Sequence, residues 1–261
     1  MIKFVSKEKK LQLVFLIIYE VIIGTIALNF NFNALLYLAT SWVLPTMFFL
    51  YKLRTDRSGY IFEALMWSIP NSILIDWVGH YSRAWNYWGN PLFASTGIII
   101  FGIPLESFVW GSAFWIFYVV VYEYFFDENR APGFGKKEKF MALSLVFFSL
   151  IIVLLINLYN PIVPLFYLLV LIFLLSIVVI FLIPYKRLIP RIIKFGFFVF
   201  TLGLLTEFFS LKLGLWTFPG GNSIKEILFF GYLMPIEEII WWFVVPVAIA
   251  TVHEIFADNH S

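Results

Sequence analysis

Apolar residues fill this chain in long blocks, and polar residues gather between the blocks. Eight blocks reach or approach the roughly 20 residues that a helix needs to cross a hydrocarbon layer. They are residues 11–30, 34–51, 60–80, 104–126, 139–158, 162–184, 191–211 and 233–255. A closed barrel also satisfies backbone groups in lipid, but its alternating ten-residue segments are absent. The pattern predicts an all-α, polytopic membrane helical bundle of about eight transmembrane helices.

The residues that interrupt or edge the blocks occur twice, 131 positions apart. Asp76 returns as Glu207, Trp85 as Trp216, Tyr87 as Phe218 and Gly89 as Gly220. Pro104 returns as Pro235, Glu106 as Glu237, Trp110 as Trp241 and Glu123 as Glu254. Apolar composition alone would not align acids, Pro, Gly and aromatics in this way, so the chain reads as a tandem duplication. The first repeat is 1–130 and the second 131–261, joined across Asp127 to Lys139, where Ala131-Pro132-Gly133 and Gly135 are breakers. Four helices per repeat is an even number. Both halves then point the same way, about a pseudo-two-fold axis along the membrane normal.

Charge orients the bundle. Fifteen of the eighteen basic residues fall at the start, around Lys52–Arg57, around Arg130–Lys139 and around Lys186–Lys194. Only Arg83, Lys212 and Lys225 lie on the other side. The positive-inside rule therefore predicts an integral, multi-pass protein with both termini cytoplasmic. The basic start followed by an apolar run resembles a signal peptide, but no small-residue cleavage site follows, and a retained first helix is expected. The chain is 62% hydrophobic and 13% charged, which excludes an ordinary soluble domain. With no cysteine, disulfides, thiolate metal sites and iron–sulfur clusters are excluded.

Within each half the motif runs acid, Trp-x-aromatic-x-Gly, a loop, then Pro-x-Glu. It expects Asp76 and Glu207 to close the third helix of each half, and Glu106 and Glu237 to sit near the third position of the fourth helix, with Pro at the first. Glu238 follows Glu237. An unpaired acid inside a bilayer costs about 2.5–3.5 kcal/mol, so Asp76, Glu106, Glu207, Glu237 and Glu238 are expected to share protons or partners. Like charges held close in a dry site keep one carboxyl protonated beside an ionised one, which is a general acid and a base in one pocket. Glu20 stands alone, with Ile151 at the repeat position, and is expected to be structural. Glu123 and Glu254 are expected at the inner interface.

Aromatic residues make up 21% of the chain. Trp85, Tyr87, Trp110, Trp216, Phe218, Trp241 and Trp242 accompany the acids and are the candidate substrate-binding residues. Belt positions at the interface are the other reading of Trp85, Trp88 and Trp216. Ring faces beside an acid suit a carbocation intermediate, because they stabilise positive charge where water would quench it. There is no GxGxxG after a strand and no GxxxxGK[ST], so nucleotide and flavin fingerprints are missing. His80, His253 and His260 form no HxxxH pair, GxSxG is absent, and no DDxxD is present to hold magnesium and diphosphate. Neither a cofactor nor a metal is expected.

At these residues the chain resembles the membrane-integral lycopene cyclase domain family, which includes two-subunit bacterial forms and fused archaeal and fungal forms. The second half carries the likeness in Glu207, Gly214-Leu215-Trp216-Thr217-Phe218 and Pro235-Ile236-Glu237-Glu238 with Trp241-Trp242. The first half carries it in Asp76, Trp85-Asn86-Tyr87 and Gly102-Ile103-Pro104-Leu105-Glu106. The chain departs from the family pattern at the added front helix of each half, at Ser107 in place of a second Glu, at Glu207 in place of Asp, and at the missing Gly before Pro235. The resemblance implies a carotenoid (lycopene) beta-cyclase. Such an enzyme performs flavin-independent, redox-neutral, proton-initiated ring closure at the ends of a linear carotene, with one pocket weighted toward Glu237 and Glu238. Ring type stays open, as does homo-oligomerisation. The expected partners are a lipophilic, lycopene-like carotenoid and membrane lipid, with no nucleic acid. A carotenoid hydratase, another prenyl cyclase, a proton-coupled transporter and an assembly protein are the alternatives.

Overall fold

A computed structural model describes residues 6–53, 75–87, 90–100, 103–127, 136–159 and 163–256, together with 61, 62, 64, 65, 67, 68 and 71. The architecture is a helical membrane bundle. Its helices are α1 (Lys7–Phe30), α2 (Ala34–Lys52), the short α3 (Trp77–Tyr81), α4 (Leu105–Phe126), α5 (Lys136–Tyr159), α6 (Phe166–Leu182), α7 (Ile189–Leu213) and α8 (Ile236–Phe256). Among the described residues six helices are long and apolar enough to cross a membrane: α1, α2, α4, α6 with its 3-10 extension to Tyr185, α7 and α8. Six is fewer than the expected eight. α5 is a helix outside that set, and the block at 60–80 is described only in part.

Local chemistry marks the ends of these helices. Ser6 caps α1 by accepting from the Lys9 N–H at 3.2 Å, and Asn31 ends it in the left-handed region. Asn33 caps α2 through the Leu36 N–H at 2.9 Å. Gly214, at φ +70°, ends α7 in the left-handed conformation that only glycine adopts without strain. Among the described residues, π-helical turns include Ala39–Val43 within α2 and Tyr122–Phe126 at the end of α4.

Glycine also sets the closest helix contacts. A Cβ on Gly203 of α7 would lie 2.1 Å from the Trp242 ring of α8, and one on Gly24 of α1 would lie 2.2 Å from Phe209 of α7. α8 packs on α6 and α7, α1 on α7, and α2 on α4.

Two antiparallel hairpins lie at one end of the bundle. The first is β1 (Ile99–Ile100) with β2 (Ile103–Pro104), and the second is β3 (Glu226–Phe229) with β4 (Tyr232–Pro235). Each feeds directly into a helix. The Leu105 N–H donates to the Ile98 carbonyl, and the Ile236 N–H to the Lys225 carbonyl, both at 2.9 Å. Pro104 and Pro235 therefore end strands, and the helices begin one residue later than the sequence pattern predicts. Proline suits that place because the backbone there is extended, with ψ 140° at Pro104, and the ring's fixed φ fits such a conformation.

The opposite, basic end is closed by ions. Arg191 of α7 binds Asp127 at 2.7 Å and also pairs with Glu254 of α8. Tyr122 donates to the same Glu254, and His253 lies 2.6 Å from Glu123. Glu254 is 3% exposed, so it is a buried helix tie near the end of α8. Two of these contacts are related by the repeat spacing: Tyr122 to Glu254 and His253 to Glu123 exchange places when one half is superposed on the other in sequence.

Candidate functional site

A cavity of about 520 Å³ opens between α3, α4, α5, α6 and α8. It lies within the size range of small-molecule sites, which are mostly apolar with a few placed polar groups. All seven aromatic residues proposed from sequence line it: Trp85, Tyr87, Trp110, Trp216, Phe218, Trp241 and Trp242. Its wall also includes Phe93, Phe114, Trp115, Tyr118, Phe166, Tyr167 and Phe173. Trp85 packs edge-on against Tyr167 at 5.2 Å, and Trp110 against Trp216 at 5.3 Å. Trp85 and Trp216 thus belong to the chamber and not to an outer belt, while Trp88 and Gly89 lie outside the described residues.

The five candidate acids separate into three groups. Asp76 and Glu238 face the cavity directly. Asp76 lies in the turn before α3, so it stands more than a helical turn inside the end of that segment; its exposed side opens on the chamber. Glu238 is in the first turn of α8, with Tyr167 and Trp242 within reach of its carboxyl group.

Glu207 sits one layer back, fully buried and six residues before the end of α7. Its two oxygens accept from the indole N–H groups of Trp216 at 2.9 Å and Trp242 at 3.3 Å. Those rings form chamber wall, so Glu207 fixes ring faces that a substrate would meet. Trp242 is thus within reach of both the Glu207 and the Glu238 carboxyl groups.

Glu106 and Glu237 form the third group, and neither is among the residues lining the cavity. Glu106 accepts from the Thr96 N–H at 2.7 Å and from the Ser95 hydroxyl at 3.2 Å. Glu237 accepts from the Ile224 N–H at 2.5 Å. Each turns back onto the loop leading into its hairpin, which is the ordinary behaviour of an acid in a first helical turn with free backbone donors nearby. Of the five candidate acids only Asp76 and Glu238 reach the chamber.

Tyr87 completes the polar rim. Burial, and behind it the Asp76 carboxyl, hold its hydroxyl well above the usual phenol range, so it stands as a neutral O–H. Ser68, Asn71 and Ser107 are the other polar residues of the lining, and Ser68 and Ser112 share a hydrogen bond at 2.8 Å. Sequence reasoning did not single out Ser68 or Tyr167. Tyr167 lies at the start of α6, where its repeat position, Leu36, is apolar.

Glu20, expected to be structural, accepts from Tyr37 at 2.7 Å and Thr206 at 3.0 Å and so ties α1, α2 and α7 together. Among the described residues no group of three or more His, Cys, Asp and Glu side chains is placed to hold a metal ion.

The hairpin end is also where the two motif copies meet. Asn86 and Thr217, 131 positions apart in the sequence, exchange both backbone hydrogen bonds at 2.8 and 2.9 Å. The Asn90 side chain donates to the Leu215 carbonyl at 2.9 Å. Compared with protein-family models, with characterised proteins and with solved structures, the chain matches none.

Proposed function

We propose that the chain is a membrane cyclase of linear carotenes, acting without a cofactor by proton-initiated ring closure. The observation that carries this reading is a ring-lined chamber in which two acids, Asp76 and Glu238, face the same space. One carboxylic acid donates its proton to the terminal double bond of the polyene, leaving a tertiary carbocation. The neighbouring double bond attacks that cation to form a six-membered ring, and a carboxylate removes a ring proton to restore a double bond. The sum is an isomerisation, with no electron gained or lost. The rings of Trp110, Trp216, Trp241 and Trp242 would stabilise the travelling positive charge, and the sparse polar lining would keep water from capturing it. Glu207 would hold two of those rings in place and is not itself at the reacting atoms.

The finer architecture belongs to the same reading: eight spans, as two tandem four-helix repeats about an axis along the membrane normal, with both termini cytoplasmic. Reciprocal contacts at the repeat spacing support it. These are the Asn86–Thr217 exchange and the Tyr122–Glu254 and His253–Glu123 pair. The clustering of Lys9, Lys52, Lys186, Arg187, Arg191 and Lys194 at the helix ends away from the hairpins supports the orientation. The likeness to lycopene cyclase motifs in the sequence agrees with this chemistry.

The test is expression in a lycopene-accumulating host with chromatography of the pigments. Ring-bearing products that vanish in Glu238→Gln and persist in Glu237→Gln are expected. A hydroxylated, uncyclised product would make the enzyme a hydratase. Unchanged lycopene beside well-expressed, folded protein would overturn both.

A further inference from the structure

The chamber is a slot with its acids at one end. Its lining on α8 runs from Glu238 to Val252. At about 1.5 Å of rise per residue, that stretch of helix is about 21 Å deep. On α4 the lining runs from Ser107 to Tyr118, about 16 Å on the same measure. An extended chain of ~1.5 Å carbon–carbon bonds advances about 5 Å for each isoprene unit. The slot therefore accommodates about four units below the acids.

A second, much smaller cavity identifies what sets that depth. It measures about 10 Å³ and lies against Glu20, Trp42, Phe117 and Leu202, with room for about one water. In the other repeat, the positions equivalent to Trp42, Phe117 and Leu202 are Phe173, Ala248 and Asn71, and all three of these line the large chamber. The two cavities thus occupy repeat-related places, one open and one filled. The largest difference in volume is at a single position. Phe117 fills its site, edge-on to Trp42 at 4.6 Å, where Ala248 leaves the slot clear. Below Ala248 the slot continues for one more helical turn to Val252.

We propose that Ala248 is a specificity-determining residue that sets the length of isoprenoid chain the slot admits. The inference rests on the chamber being the substrate site. A ring at position 248 would stop the slot about 15 Å from Glu238, which leaves room for about three units.

The experiment uses the full chain in lipid nanodiscs and reads thermal stabilisation by geraniol, farnesol and geranylgeraniol at equal mole fraction, which reports apparent affinity. In Ala248→Phe the affinity for geranylgeraniol relative to farnesol is expected to fall roughly tenfold, with geraniol and farnesol within about twofold of wild type. Ala248→Val, the milder change, is expected to give an intermediate ratio and carries the test if the Phe variant does not fold. An equal loss at all three lengths, or no change at any, overturns the proposal. Glu238→Gln is expected to keep the wild-type length profile. A length-graded profile in a protein that leaves lycopene linear would defeat the cyclase reading and leave the gauge standing; ring-bearing products with no length grading would do the reverse.

Discussion

Gly203→Ala is the sharpest stability test of the chamber wall. The added methyl would lie 2.1 Å from Cε3 and 2.5 Å from Cδ2 of Trp242. Carbon atoms rest at about 3.5–4.0 Å, so the indole must withdraw by more than about 1 Å. It has little room, because Trp242 is 4% exposed and packs edge-on against Phe114 at 5.6 Å and along Trp42 at 6.4 Å. Overpacking of this kind costs about 1–3 kcal/mol. Withdrawal also breaks the 3.3 Å bond to Glu207. A buried acceptor left unmade costs about 1–3 kcal/mol more. Alanine's better helix propensity returns about 1 kcal/mol. The net loss is about 1–5 kcal/mol, and each kcal/mol lowers the midpoint by about 2–4 °C in a chain of this size. Thermal unfolding in nanodiscs, followed by tryptophan fluorescence, measures it. Trp242→Leu in the same protein removes the obstructing ring, so the double variant should lose less than the sum of the singles. A Gly203→Ala protein as stable as the parent would refute the close approach of α7 and α8.

The same contacts carry further expectations. Arg191→Met removes one buried cationic partner from each of Asp127 and Glu254 at the basic end. It should destabilise by about 3 kcal/mol, read in the same unfolding assay. Glu237→Ala leaves the Ile224 N–H without its acceptor; faster hydrogen exchange confined to β3 and β4 is expected, with a loss of about 1–3 kcal/mol. Gly220→Ala meets both a φ of +83° and the Glu226 carboxylate at 2.6 Å. A loss of at least about 1 kcal/mol is expected there in urea titration. Trp216→Phe removes the N–H that holds Glu207; reduced turnover of lycopene with retained pigment binding is expected, and unchanged turnover would deny the positioning role of Glu207.

Much of this was legible in the sequence because membranes make the rules few. An apolar block must be helical in lipid, so α1, α2, α4, α6, α7 and α8 follow closely from the blocks that predict them. The aromatic lining was legible because Trp85 and Trp216, or Trp110 and Trp241, appear twice at one spacing. The division of labour among the acids was not. Glu237 and Glu238 are neighbours, and their opposite destinations depend on a turn of about 100° between them on a helix. The hairpins carried no usable signal either. Ile99–Ile100 and Glu226–Phe229 are too short and too apolar to stand out from helix, and the positions of Phe230 and Gly231 at positive φ, +46° and +94°, turn the second one. Ser68 and Tyr167 have no polar counterpart 131 positions away, where Val199 and Leu36 stand, so the spacing could not point to them.

The ties at the two ends of the bundle bear on how the protein can be built. Asn86 with Thr217, and Tyr122 with Glu254, join stretches on opposite sides of residues 128–135. None of these bonds requires a continuous chain between Asp127 and Lys136. Two separately translated polypeptides meeting in the bilayer could form the same chamber. Joining them end to end adds equal supply of the two partners and spares the first meeting from being a search.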